Sequence, residues 1–168
     1  MGGIIVIKTN RCKMGKVQDS DYEKIKELYT DEKVRKFLGG IVSNEKFNSS
    51  FNDMLTCDDN SFYWVVRLKD NNEVIGLASL DKHHDGLSTE VSYQFMPQYW
   101  GYGYAEEVVR RIIDYAFDEL IIKKIVAETQ SANKASCKLL KKVGMSLEQI
   151  VSRFGTEQYI FSISKDAV

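Results

Sequence analysis

Apolar residues in the first third of the chain recur mostly at helical spacing. Tyr22, Ile25, Leu28 and Tyr29 fall on one face of a helix that Asp19 or Ser20 can cap, since a short polar side chain accepts from the open first N–H groups of a helix. Val34, Phe37 and Leu38 predict a second, short helix stopped by Gly39-Gly40, and Ser43 or Asn44 caps a third with Phe47, Phe51, Met54 and Leu55 inward. Ahead of them, Ile4-Ile5-Val6-Ile7 reads as a strand, too short for a signal-peptide core or a membrane span.

The period then changes. Phe62 to Leu68 and Val74 to Leu80 are rich in β-branched and aromatic residues around an Asp70-Asn71-Asn72 turn, and Asp85-Gly86 marks the next turn. From Thr89 to Phe95, Glu90, Ser92 and Gln94 alternate with Val91, Tyr93 and Phe95, which completes an antiparallel meander. Helical spacing returns with Val108, Val109, Ile112, Ile113, Ala116, Phe117 and Leu120, backed by Glu106–Arg110 and Glu107–Arg111 pairs one turn apart. A strand at Ile125 to Thr129, a helix from Asn133 to Val143 ended by Gly144, and strands near Leu147 to Arg153 and Gln158 to Ser164 close the chain. The order predicts an α/β domain of α+β type, with a mixed, mostly antiparallel central sheet flanked by helices. With no repeat and no linker, residues 1–168 are expected to form one domain.

Composition narrows the function classes. At 168 residues, 43% hydrophobic and 28% charged, with formal net charge −1, the chain has no global field to recruit nucleic acid or an anionic membrane. Cys12, Cys57 and Cys137 are odd in number and far apart, so neither a disulfide framework nor a zinc ribbon is expected, and free thiols suit a reducing cytoplasm. His83-His84 beside Asp81 and Asp85 invites a metal reading. Adjacent residues on a hairpin tip point apart, however, so a solvated turn is expected there and no metal.

The stretch Pro97-Gln98-Tyr99-Trp100-Gly101-Tyr102-Gly103-Tyr104-Ala105 stands out, between a strand and an amphipathic helix. The first N–H groups of a helix lack intrahelical partners and sit at the positive end of its dipole, so this junction suits an anion. Gly101 and Gly103 let the backbone close on a phosphate. No Gly-Lys-Ser/Thr follows, which excludes a Walker loop, and Glu106 stands where the third small residue of a dinucleotide fingerprint belongs. The tyrosines and Trp100 could stack on bases, but with no basic residues interleaved, loop packing and cleft lining fit better.

Gln98-x-x-Gly101-x-Gly103 in this setting resembles the acyl-CoA pyrophosphate loop of the GNAT superfamily of N-acetyltransferases. Other segments agree in order. Thr9-Asn10-Arg11 with the helices up to Phe37-Leu38-Gly39-Gly40, then Glu90-Val91-Ser92-Tyr93, Tyr115-Ala116-Phe117, and Asn133-Lys134-Ala135-Ser136 with Lys142-Val143-Gly144-Met145, resemble the ribosomal-protein N-terminal (alanine/serine) acetyltransferase subgroup. The resemblance spans nearly the whole chain. It implies two splayed parallel central strands, here Thr89–Phe95 and Ile125–Thr129, with acetyl-CoA as co-substrate between them. Backbone of Trp100, Gly101, Tyr102, Gly103, Tyr104 and Ala105, with Gln98, is then expected to hold the pyrophosphate. Phe95 and Met96 would pair with the pantetheine arm, and Asn133 would meet its far end.

Forming an amide from an amine and a thioester requires a neutral amine, a donor for the oxyanion and a proton for the leaving thiolate. A backbone N–H near Phe95 or Met96 is the candidate donor. Glu90 is the candidate base, acting through water, with an exposed or salt-bridged strand glutamate as the plain alternative. Many relatives of this superfamily carry a tyrosine seven residues after the asparagine, where this chain has Leu140. The resemblance then points to Ser136 as general acid, against a first-turn serine that only bonds backbone; water would serve as well. Cys137 is expected to be a packed helix cysteine.

The expected activity is direct acetyl transfer to a primary amine, a protein N-terminal α-amine by the subgroup resemblance. A polyamine or aminoglycoside acceptor remains open, as does a non-catalytic CoA-binding module, for which Leu140 is the motive. The acceptor region is expected in the segment from Val34 to Leu55 and the closing hairpin. The partner is an amine acceptor, neither nucleic acid nor membrane, and the chain is expected to be a cytoplasmic monomer or homodimer.

Overall fold

The computed structural model describes residues 6–83 and 85–165. Ile4, Ile5 and His84 lie outside them. Eight strands form one sheet: β1 (Ile7–Lys8), β2 (Cys12–Lys16), β3 (Phe62–Leu68), β4 (Val74–Lys82), β5 (Thr89–Phe95), β6 (Lys124–Gln130), β7 (Ser146–Arg153) and β8 (Thr156–Ser164). Their spatial order is β1-β2-β3-β4-β5-β6-β8-β7. Five helices accompany them: α1 (Tyr22–Thr30), α2 (Glu32–Arg35), α3 (Asn44–Thr56), α4 (Tyr104–Asp118) and α5 (Lys134–Lys142). The mixed, mostly antiparallel sheet with flanking helices is the fold class that the sequence predicts. Its parallel pair is β5–β6, joined at Thr89↔Ile125 and Glu90↔Val126.

β2 is the element the sequence reading missed. Cys12 and Met14 are fully buried and alternate with Lys13 and Gly15, but two apolar residues are too few to announce a period of two. Its ladder with β3, from Cys12↔Leu68 to Lys16↔Trp64, fixes what the local sequence leaves open. The second helix is also shorter than expected: Asp31 caps it by accepting from the N–H groups of Lys33 and Val34, and it ends at Arg35, before Phe37 and Leu38.

The chain groups into two compact units, Met1–Ser79 with Tyr93–Tyr104, and Leu80–Ser92 with Ala105–Val168. In the first, α1, α2 and α3 turn Ile25, Leu28, Val34, Phe47, Phe51 and Met54 onto Val65, Val74 and Leu77 of the strands and Met96. Tyr22 packs on Phe47 and Phe51 with ring centroids 5.2 Å apart, and its hydroxyl bonds Asn48. Asp21, 3% exposed, meets Arg67 at 2.6 Å and accepts from the Gln18 N–H, so its buried charge is paired and hydrogen-bonded.

In the second unit, the amphipathic α4 buries Val108, Val109, Ile112, Ile113 and Ala116 as its period requires, with Tyr115 added. The expected surface pair Glu106–Arg110 forms at 3.2 Å, and Arg111 also reaches Glu119 at 3.8 Å. Leu140 of α5 is 1% exposed and Cys137 is buried, so the position where many members of the resembled superfamily carry a tyrosine is core here. No described helix is long and apolar enough to cross a membrane.

Candidate active site

The glycine stretch is built as its composition demands. Pro97–Tyr99 forms a single 3-10 turn, and Gly101 and Gly103 follow at φ 85° and 83°, a region that residues with a Cβ rarely occupy. These two angles turn the chain into Tyr104, the first residue of α4, with Ala105 the second. A Cβ placed on Gly101 would meet nothing within 4 Å, so the backbone there faces open space. That exposure at the start of a helix suits a diphosphate. Gln98, Trp100 and Tyr102 are exposed around the stretch.

The end of β5 is held from two sides. The Met96 N–H donates to the Ile75 carbonyl at 2.8 Å, and the Trp100 indole N–H donates to the Phe95 carbonyl at 2.8 Å. Of the two amides named as oxyanion donors, Met96's is therefore engaged with β4. Successive N–H groups of a strand alternate in direction, which turns Phe95's away from β4. Gly76 of β4 makes room for this arrangement: a Cβ there would lie 2.5 Å from the Gln94 carbonyl oxygen and 2.7 Å from the Phe95 ring. Beside it, Arg35 gathers the turn after α2, donating to the Gly40 carbonyl at 2.9 Å and the Leu38 carbonyl at 2.6 Å. Its third contact is the Gln94 side-chain oxygen at 3.4 Å, and it stacks on Tyr29, whose hydroxyl pKa burial raises.

Glu90 lies in a cluster that the sequence did not reveal. Its carboxylate accepts from the Glu128 N–H at 3.3 Å. The Glu128 side chain, 6% exposed, meets His83 Nε2 at 2.6 Å and Arg153 at 3.5 Å. Burial, opposed first by His83, aided by Glu128 and opposed again by the Glu128 N–H and Arg153, leaves the Glu90 carboxyl pushed up to about 7. His83 corrects the expectation of a solvated turn. It is 4% exposed, because its ring folds back under the Asp85-Gly86 turn, where Nδ1 accepts from the Asp85 N–H at 3.3 Å. His84 lies outside the described residues.

At the start of α5, the Asn133 side-chain oxygen accepts from the Ser136 N–H at 3.2 Å. Asn133 is thus the helix cap. Cys137, buried behind them, has its thiol pushed up by desolvation, which suits packing and not nucleophilic use.

Comparison with known proteins bears on this arrangement. The family described as "Acetyltransferase (GNAT) domain" matches residues 11–146. The chain belongs to that family. It is accordingly an acetyl-CoA-dependent N-acetyltransferase of GNAT type. The uncharacterized N-acetyltransferase YoaA of Bacillus subtilis is 25% identical over 89% of this chain and 87% of its own length. The spermidine N-acetyltransferase of Vibrio cholerae, solved with CoA and spermine, superposes with a TM-score of 0.80 at 20% identity, covering 92% of this chain and 95% of that one. The ribosomal-protein-S5-alanine acetyltransferase of Vibrio fischeri gives 0.78 at 18% identity, covering 97% and 98%. This acetyltransferase therefore shares its fold with one enzyme named for spermidine and with another named for alanine of ribosomal protein S5.

Proposed function

We propose that this N-acetyltransferase acetylates a protein N-terminal α-amine, with Glu90 as the base that takes the proton, directly or through one water. The observation that carries the reading is the placement of Glu90 beside the Glu128–His83–Arg153 cluster, where its carboxylate accepts from the Glu128 N–H at 3.3 Å and desolvation raises its pKa. An α-ammonium, with an ordinary pKa of about 8, gives its proton to a raised carboxylate more readily than a lysine-like amine near 10.4 does. The thioester supplies the acyl group and its leaving thiolate. The Phe95 N–H is the donor for the developing oxyanion, and backbone from Trp100 to Ala105 with Gln98 holds the diphosphate. Phe95 and Met96 line the pantetheine arm. Ser136, in the first turn of α5, relays a proton from solvent water to the thiolate, its own hydroxyl being reprotonated in the same step.

Two assays test the reading in order. Acetyl-CoA at a hundred times its Kd is expected to stabilise the protein by about 2.7 kcal/mol, a Tm rise of roughly 5 to 10 °C that NAD and ATP do not reproduce. Turnover is then compared on a peptide with a free N-terminus, the same peptide Nα-blocked but carrying a lysine, and spermidine. Preference for the free N-terminus is expected; preference for spermidine moves the enzyme to the small-amine class.

Asn133 separates capping from cofactor contact. Asn133→Ala is expected to cost about 1 kcal/mol of stability through the lost cap. Asn133→Asp restores the cap, since the Asp oxygen accepts from the Ser136 N–H, but removes the amide donor. Restored Tm with a raised KM for acetyl-CoA supports a contact to the pantetheine end; restored Tm and KM together leave Asn133 a cap alone.

A further inference from the structure

Arg11 stands just ahead of β2, far in sequence from the glycine stretch, yet its guanidinium carbon lies 4.1 Å above the centre of the Tyr104 ring. A Cβ built on Gly103 would come within 3.4 Å of the Arg11 terminal nitrogen. The charged head thus rests against both residues through which the chain enters α4. Its own backbone is firmly placed. The Arg11 carbonyl accepts from the Lys69 N–H at 2.9 Å, and the Thr9 hydroxyl accepts from the Cys12 N–H at 2.9 Å in the turn that carries it.

Charge accounting gives that position a purpose. Residues 95–104 contain no lysine or arginine, and the first turn of α4 carries Glu106 and Glu107. Acidic groups at a helix N-terminus compete with an anion for the same dipole. A diphosphate bound there by backbone alone would meet those carboxylates, of which Glu106 is paired with Arg110 one turn on, with no cation supplied by the stretch itself. A planar guanidinium, always charged and suited to forked hydrogen bonds with phosphate oxygens, supplies what is missing, and stacking on Tyr104 presets its orientation.

We infer that Arg11 is a binding residue for the diphosphate of the CoA substrate, a side-chain cation added to the backbone loop. The inference rests on the reading of residues 100–105 as the diphosphate site. It is tested by measuring the Kd of CoA, 3′-dephospho-CoA and pantetheine by ligand-observed NMR on the wild type and on Arg11→Gln. Wild-type protein that binds CoA no tighter than pantetheine defeats the loop reading itself. Given tight CoA binding, Arg11→Gln is expected to weaken CoA and dephospho-CoA equally, by about 10- to 100-fold, and to leave pantetheine unchanged.

Equal weakening of all three ligands would overturn the assignment, because it would mean that Arg11 only props the loop through Tyr104. Weakening of CoA alone would move the contact to the 3′-phosphate and overturn it too, as would no change. If Arg11→Gln folds poorly, Arg11→Lys decides the same question: it keeps the charge but loses the planar fork. A loss of about tenfold confined to the two phosphate ligands supports the assignment, and a loss shared by pantetheine refutes it.

Discussion

Glu90→Gln is expected to lower kcat/KM by about 10² to 10⁴ with the Kd of acetyl-CoA unchanged, because the amide fills the same space and accepts the same Glu128 N–H but takes no proton. The pH profile gives the sharper signature. In the wild type, the base must be ionised, so kcat/KM is expected to rise with pH and bend near 7, where the buried carboxyl titrates. In Glu90→Gln that bend is expected to vanish, leaving only the titration of the acceptor amine. A bend that survives the substitution assigns it to another group.

The same variant carries a stability prediction of opposite sign. A carboxyl whose folded pKa is raised to about 7 contributes stability that is complete below the ordinary glutamate range and is lost as pH rises through about 7. Ionised Glu90 therefore weakens the fold at pH 8, mainly by desolvation and secondarily by the nearby Glu128. Glu90→Gln removes that charge. Its Tm at pH 8 is expected to exceed that of the wild type, with the difference closing at pH 5. A loss of rate accompanied by a gain in heat stability is the mark of a strained functional group, and a structural glutamate would lose both.

Gly76→Ala is expected to be the most damaging single methyl addition in the strands that frame the site. The new Cβ would sit 2.5 Å from the Gln94 carbonyl oxygen and 2.7 Å from the Phe95 ring. The closest neighbour is backbone, so rotating a side chain gives no relief, and β5 itself has to move. Overpacking of this kind costs about 1 to 3 kcal/mol, a Tm fall on the order of 5 °C. The shift falls on the residue whose N–H is the proposed oxyanion donor. Displacement by a fraction of an ångström to an ångström there is expected to reduce kcat/KM on the order of a hundredfold. Differential scanning calorimetry and steady-state kinetics on the one variant check both; unchanged kinetics despite the Tm loss would remove Phe95 from the chemistry.

Much of this protein is legible in its sequence because the signals are local. The helices follow largely from apolar spacing, with polar openings as at Ser43, which accepts from the Lys46 N–H, and Asn133, which accepts from that of Ser136; α1 departs from this, since Asp19 and Ser20 lie in a 3-10 turn and Asp21 opens the helix with no side-chain cap bond. Gly101 and Gly103 are readable for the same reason: positive φ before a helix start is a property of the stretch itself. Glu90 could be picked out on its strand.

What gives Glu90 its chemistry was decided elsewhere. The parallel register Glu90↔Val126 brings it to β6, where Glu128 lies two residues on and so on the same face. His83 from the end of β4 and Arg153 from β7 complete the cluster, and neither is predictable without knowing which strands are neighbours. β2 became a strand only through its ladder with β3, and Arg11 reached Tyr104 only because that ladder fixed where it stands. The sequence by itself determined most of the helices and strands, the polar openings at Ser43 and Asn133 and the glycine turn, since backbone preference and apolar period act over a few residues. Tertiary structure alone decided the burial that sets the Glu90 pKa and the placement of Arg11, since desolvation and charge proximity depend on residues that pairing, and not chain order, makes neighbours.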